Sequence, residues 1–118
     1  MAAKDELGRR GEDLAALHLQ RGGFDIVERN WRCPAGEIDI VARDGDEVVF
    51  VEVKTRTSTA YGHPLEAITV QKLARLRRLA GTWCETHPVD AVGIRIDAVA
   101  VIAPRVGQPI LEHVRGVF

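Results

Sequence analysis

Asp39, Glu52 and Lys54 are the residues whose types and spacing can do chemistry together. Glu52 and Lys54 stand two apart at the end of the run Glu47 to Lys54, five of whose central residues are apolar. Strand side chains alternate faces, so Glu52 and Lys54 are expected on one face with Val48 and Phe50. A run apolar on both faces predicts a central, doubly covered strand. A carboxylate and an ammonium at its end are costly unless paired, hydrated or bound to metal. Asp39 lies in the preceding run, Glu37 to Arg43, across an Asp-Gly turn signal at residues 44 to 46. An even-numbered hairpin loop sets Asp39 opposite Phe50 or opposite Glu52, with both carboxylates on one face about 5 to 8 Å apart. An odd loop separates them.

Two convergent carboxylates suit a hard divalent cation such as Mg²⁺. The cation polarises a phosphate and acidifies a water. A lysine beside them steers that water or offsets charge on phosphorus. These are the parts for hydrolysing a phosphodiester. A cross-strand ion network on a sheet surface uses the same three residue types, so spacing alone leaves both readings open.

The elements that must position these groups follow in order. Residues 5–22 carry a helical stripe of Leu7, Leu14, Leu17 and Leu19 with Ala15 and Ala16, ended by Gly22 and Gly23. Gly8 and Gly11 weaken its first turns by about 1 kcal/mol each relative to Ala. Residues 24–32 alternate as a strand, and 33–36 are a turn. After the hairpin, 55–64 are expected as a loop. A helix runs from Val70 to Glu85, capped by Thr69, burying Leu73, Leu76, Leu79 and Ala80. Residues 93–103 form a strand and 109–114 a short last one. The order is α-β-β-β-α-β-β: an α/β fold, a mixed sheet of four or five strands flanked by two main helices. With 118 residues, residues 1–118 make one domain.

Composition narrows the function classes. Apolar residues at 46% and charged residues at 28% are those of an ordinary globular domain, which excludes a disordered tail or a coiled coil. No apolar run reaches the roughly 20 residues of a membrane span. The first residues lack the apolar core of a signal peptide, so a cytoplasmic location is expected. Cys33 and Cys84 have no metal-ligand spacing and read as plain small side chains. The net charge of −1 gives no general basic footprint. The charges cluster, however: Lys72, Arg75, Arg77 and Arg78 without an anion, against six anions and Arg43 alone from Glu37 to Glu52. On charge alone these are two solvated faces as readily as a site.

The segments Gly36-Glu37-Ile38-Asp39-Ile40-Val41-Ala42 and Val49-Phe50-Val51-Glu52-Val53-Lys54-Thr55-Arg56 resemble the PD-(D/E)xK nuclease signature. The longer pattern resembles the YraN-like family of small bacterial proteins. It includes Gly8, Gly11, Glu12 and Ala15, then Asn30 and Arg32, then Gly62, Glu66, Ala67 and Lys72, and closes on Arg95 and Asp97. Ile38 stands where the signature usually has Pro.

The resemblance implies a restriction-endonuclease-like core, similar to Holliday-junction resolvases, and a nuclease dependent on Mg²⁺ or Mn²⁺. It implies that Asp39 and Glu52 are metal ligands, Lys54 the catalytic lysine and Glu12 a third acid. Nucleic acid, DNA before RNA and branched or single-stranded in character, is the expected partner. A homodimer is an assembly the resemblance allows. Thr55 and Arg56 are candidates for holding a phosphate, and Tyr61 and His63 for stacking on a base or touching phosphate. Gln71, Lys72, Arg75 and Arg78 are candidates for a phosphate track. Trp31 and Trp83 read as core or interface aromatics, and Asp97 as structural. Two rivals stand beside the nuclease: a catalytically silent nucleic-acid-binding module of the same fold, and a protein-interaction adaptor.

Overall fold

The computed structural model describes residues 3–88 and 91–117. Helix α1 (Ala3–Arg21) leads into three antiparallel strands, β1 (Asp25–Cys33), β2 (Gly36–Asp44) and β3 (Glu47–Arg56). A 3₁₀ turn (Pro64–Ala67) and helix α2 (Val70–Thr86) then cross over to β4 (Gly93–Ile102) and β5 (Ile110–Val114). The strands lie in sequence order in one sheet. Only β3 and β4 are parallel, as a helical crossover requires. The expected α-β-β-β-α-β-β order and mixed sheet are those of the structure.

The central strand is apolar on both sides because both sides are covered. Val49, Val51 and Val53 pack with Ala15, Ala16 and Leu19 of α1. Val48 and Phe50 pack with Leu73, Leu76, Leu79 and Trp83 of α2. Fully burying one such aliphatic side chain stabilises by about 1.5–3 kcal/mol, so these two layers hold the sheet between the helices. Helix α2 starts where Thr69 Oγ1 accepts the Lys72 N–H at 3.2 Å. Helix α1 ends at Gly23, whose φ of 94° an L side chain rarely adopts. Leu17, expected in the buried stripe, is exposed: it falls one position outside the arc that Ala15, Ala16 and Leu19 turn to the sheet.

One local expectation holds and two change. The hairpin loop is even-numbered, with Gly45 and Asp46 at the turn and Asp44 paired to Glu47. Extended past its last pair, Ile40 with Val51, this register would set Asp39 opposite Glu52. Strand β3 does not stop at Lys54, because Thr55 and Arg56 still pair with Val101 and Ile102 of β4. Their polar side chains read as loop, while their backbone groups are satisfied by the parallel neighbour. The loop that follows contains the 3₁₀ turn, capped by His63.

Among the described residues, Asp97 is the one fully buried charged side chain. It accepts hydrogen bonds from Arg95 at 2.8 and 3.0 Å, and from the Gly116 N–H at 3.0 Å, and pairs with His113 Nε2 at 2.8 Å. Arg95 reaches on to Asp44 at 2.9 Å and Glu47 at 3.1 Å. This network ties the hairpin, β4, β5 and the chain's last turn together, which is the structural role expected of Asp97.

Candidate active site

The β2–β3 ladder ends at Ile40 and Val51. The next rung is missing. In its place Asp39 Oδ2 accepts the Val53 N–H at 2.8 Å, so a carboxylate stands where a main-chain carbonyl would. Strand β3 carries on beside β4 to Arg56. The sheet therefore forks at Asp39, and Glu52 and Lys54 project from the branch that continues.

Both strands on the other side of Asp39 are bent at the same level. Ile40 packs with the α1 layer and Ile38 with the α2 layer, although a regular strand sets residues two apart on one face. Their β1 partners, Arg29 and Trp31, flank Asn30, whose φ is 55°. Arg29 is tied to Asp13 of α1 at 2.7 Å, whereas Trp31 packs with the α2 layer.

Glu12 comes from α1. The helix approaches β3 so closely that a Cβ at Gly11 would overlap the Thr55 side chain. That contact sets Glu12 over the branch. Glu12 Oε1 is buried without a hydrogen-bond partner. Glu12, Lys54, Thr55 and Arg56 border an open groove of about 1110 Å³ at the end of β3, together with Arg9 and Asn30. Clefts outside the carboxyl ends of strands are where α/β sheets receive ligands. Glu52 opens instead on a smaller pocket of about 170 Å³ against α2, with Lys72 and Arg75. The shared face expected of Glu52 and Lys54 is thus divided between two clefts. Beyond Val51 β3 no longer has β2 alongside, and strand twist is free to turn its side chains.

Burial disfavours the charged form of all three acids, and the charge of Asp39 adds to this for Glu12 and Glu52. Burial, then the neighbouring Asp39, lifts Glu12 to about 7, with Arg29 opposing. Burial lifts Asp39 to about 6 against the hydrogen bond from Val53. Burial and then Asp39 lift Glu52 to about 7. Lys54 is lowered, first by burial and then by Arg56 and Lys72. The chain's own cations leave these carboxylates undercompensated. An all-oxygen donor set with one unpartnered acceptor fits a hard divalent cation in kind. Among the described residues no three His, Cys, Asp or Glu side chains stand grouped as a ready metal cage. Mg²⁺ needs none, since one or two carboxylates, waters and phosphate oxygens complete its shell.

The other predicted residues divide. Thr55 packs on Gly11, and Arg56, half-buried in the groove, donates to the Thr55 carbonyl at 3.2 Å. Lys72 donates to the Ala67 carbonyl at 3.1 Å, and Arg75 to the Ala35 carbonyl at 3.3 and 3.0 Å, both beside Glu52. Tyr61 is fully exposed on its loop, and Gln71 and Arg78 are exposed on α2; none of the three borders either cleft. His63, half-buried, is engaged within the fold: Nδ1 accepts the Leu65 N–H at 3.1 Å and Nε2 meets Glu112 of β5 at 3.0 Å. Sequence reasoning missed Arg9, and had Asn30 and Gly11 only as members of the longer pattern, without the bend or the contact they make. A glycine inside a helix, next to a candidate acid, was the available signal for the last.

The α/β order and the mixed sheet are those of the restriction-endonuclease-like superfamily. Residues 11–101 match the model of the family described as "Uncharacterised protein family UPF0102". A UPF0102 protein of Arthrobacter sp. (strain FB24) is 61% identical, with 99% of each chain covered. One of Paenarthrobacter aurescens (strain TC1) is 60% identical over 99% of this chain and 97% of its own. One of Streptomyces griseus is 56% identical over 99% of both. The chain belongs to the UPF0102 family, the YraN-like family that its motifs resemble. Among the described residues no helix is long and apolar enough to cross a membrane.

Proposed function

We propose that this protein is a metal-dependent endonuclease that hydrolyses phosphodiester bonds in nucleic acid, branched or single-stranded DNA foremost. The observation that carries the reading is the undercompensated set of Glu12, Asp39 and Glu52 at the fork, with Lys54 beside it. Asp39 and Glu52 would hold Mg²⁺ or Mn²⁺, with Glu12 assisting from α1. Bound there, the cation supplies positive charge to a phosphate and acidifies a water. The remaining roles belong to the chain. Lys54 presents an ammonium in the groove, where it neutralises charge on a phosphate oxygen or orients the attacking water. Arg9 and Arg56 line the same groove and hold flanking phosphates without reading bases. Lys72 and Arg75 extend the cationic border past Glu52 on the other side. A second copy of the chain would serve to grip a duplex.

The test is cleavage of labelled Holliday junction, flap, single-stranded, duplex and RNA substrates with Mg²⁺, Mn²⁺ or chelator. Cleavage is expected to require the cation and to fall by about a hundredfold or more in Asp39→Ala and in Lys54→Ala. Salt-sensitive binding without cleavage on every substrate would instead make the protein a binding module. Absence of binding to any polynucleotide at low salt would leave the adaptor.

A further inference from the structure

We propose that Asn30 is a positioning residue for Asp39, and that its backbone rather than its amide does the work. The inference rests on the nuclease reading only for its effect on turnover. Asn30 is the one non-glycine among the described residues with a positive φ, at 55°. It occurs inside a strand, where extended backbone is the rule. Asparagine tolerates the left-handed region better than most residues, which is the physical reason for its presence.

The bend falls on the rung that matters. Arg29 pairs with Ile40 and Trp31 with Ile38, so Asn30 and Asp39 occupy the level between them. Across that level both strands exchange faces. Arg29 and Ile40 belong to the α1 side, and Trp31 and Ile38 to the α2 side. Were β1 and β2 to alternate regularly, Asp39 would project onto the same face as Val41, into the apolar layer under α2. Instead its carboxylate lies toward β3 and takes the Val53 N–H. The left-handed residue lets β1 follow the turn of β2, and the turn puts Asp39 between the groove of Glu12 and the pocket of Glu52. Strained backbone that the surroundings hold in place is a recurrent device at such sites.

Three variants separate backbone from side chain. Asn30→Gly keeps access to positive φ and loses the amide. Asn30→Asp keeps a short polar side chain that tolerates positive φ. Asn30→Ala loses both. The first readout is amide hydrogen exchange at Val53, which needs neither metal nor substrate. The second is kcat and KM on the best substrate with Mn²⁺. Thermal unfolding reports whether each variant is folded.

Val53 protection and kcat are expected to stay within about threefold of the parent protein in Asn30→Gly. Both should worsen by about tenfold or more in Asn30→Ala with KM little changed, and Asn30→Asp should lie between them. Equal damage in Asn30→Gly and Asn30→Ala would overturn the proposal in favour of a contact made by the amide. An Asn30→Ala protein indistinguishable from the parent would overturn it too. If Asn30→Ala does not fold, Asn30→Gly decides: loss of Val53 protection there refutes the proposal. A parent protein without turnover, but with the expected Val53 series, refutes the nuclease reading while the role of Asn30 in placing Asp39 stands.

Discussion

At the scale of single residues, the fork is a place where folding and ligand affinity pull in opposite directions. A carboxyl whose folded pKa exceeds its unfolded value makes the native state bind more protons than the unfolded chain between those two values. Stability is therefore fully present below the unfolded pKa and lost as pH rises through the folded one. Glu12 and Glu52 move from 4.5 to about 7, and Asp39 from 3.8 to about 6. In chelator, the melting temperature is thus expected to fall as pH rises from about 4.5 to 7. Asp39→Asn should flatten that slope, since it removes one titration and relieves repulsion on the other two. Mn²⁺ should raise the melting temperature most at the alkaline end, because binding releases the protons that burial retains. Calorimetric scans across pH check all three, and an unchanged slope in Asp39→Asn would contradict them. Lys54 and Glu52 were legible in the sequence because their spacing is local. The separation of their clefts was not, because it depends on where β2 stops pairing.

At the scale of elements, the spacing between α1 and β3 is set by one glycine. Alanine at position 11 should favour an isolated helix by about 1 kcal/mol. In the protein its methyl would overlap Thr55, a side chain on the backbone of a paired strand. Overpacking of this kind costs about 1–3 kcal/mol. Gly11→Ala is therefore expected to destabilise despite better propensity, and Gly11→Ala with Thr55→Gly to recover part of the loss. Denaturant midpoints of the single and double variants measure this, and additive losses would show that the two positions do not touch. At the other helix, Thr69→Ala should cost about 1 kcal/mol through the exposed Lys72 N–H it leaves without its cap. The element order was readable because hydrophobic period and turn residues carry it: Gly22-Gly23, Asp44-Gly45 and the stripe from Leu73 to Ala80. The end of β3 was not, since Thr55 and Arg56 are strand only by virtue of β4, which arrives about forty residues later in the chain.

At the scale of the whole molecule, the sheet's far side is locked by a charge network centred on the fully buried Asp97. Burial alone pushes the Asp97 carboxyl up, and the hydrogen bonds from His113, Arg95 and Gly116 more than reverse this, leaving it at about 2. Its depressed pKa contributes stability that is present above the unfolded value near 3.8 and lost as pH falls toward about 2. Acid unfolding should therefore include a step in that window, absent from Asp97→Asn. Removing the charge at neutral pH leaves Arg95 with Asp44 and Glu47 but strips His113 and the Gly116 N–H of their partner. Breaking a buried pair from one side costs about 3–5 kcal/mol. Asp97→Ala should lose about that much in urea, and its last strand should exchange amide hydrogens first, because β5 and the chain's end are held by His113 and Gly116. Asp97 sits beside Val51, the last rung before the fork, but its network runs the other way along the strands through Arg95 to Asp44 and Glu47, so a folded Asp97→Asn should keep the Mn²⁺ affinity of the parent. Titration calorimetry with Mn²⁺ at a temperature where both proteins are native tests this. A large loss of affinity would mean that the order of β4 and β5 reaches the fork through the parallel pairing of β3 and β4, and that the two ends of the sheet are one energetic unit.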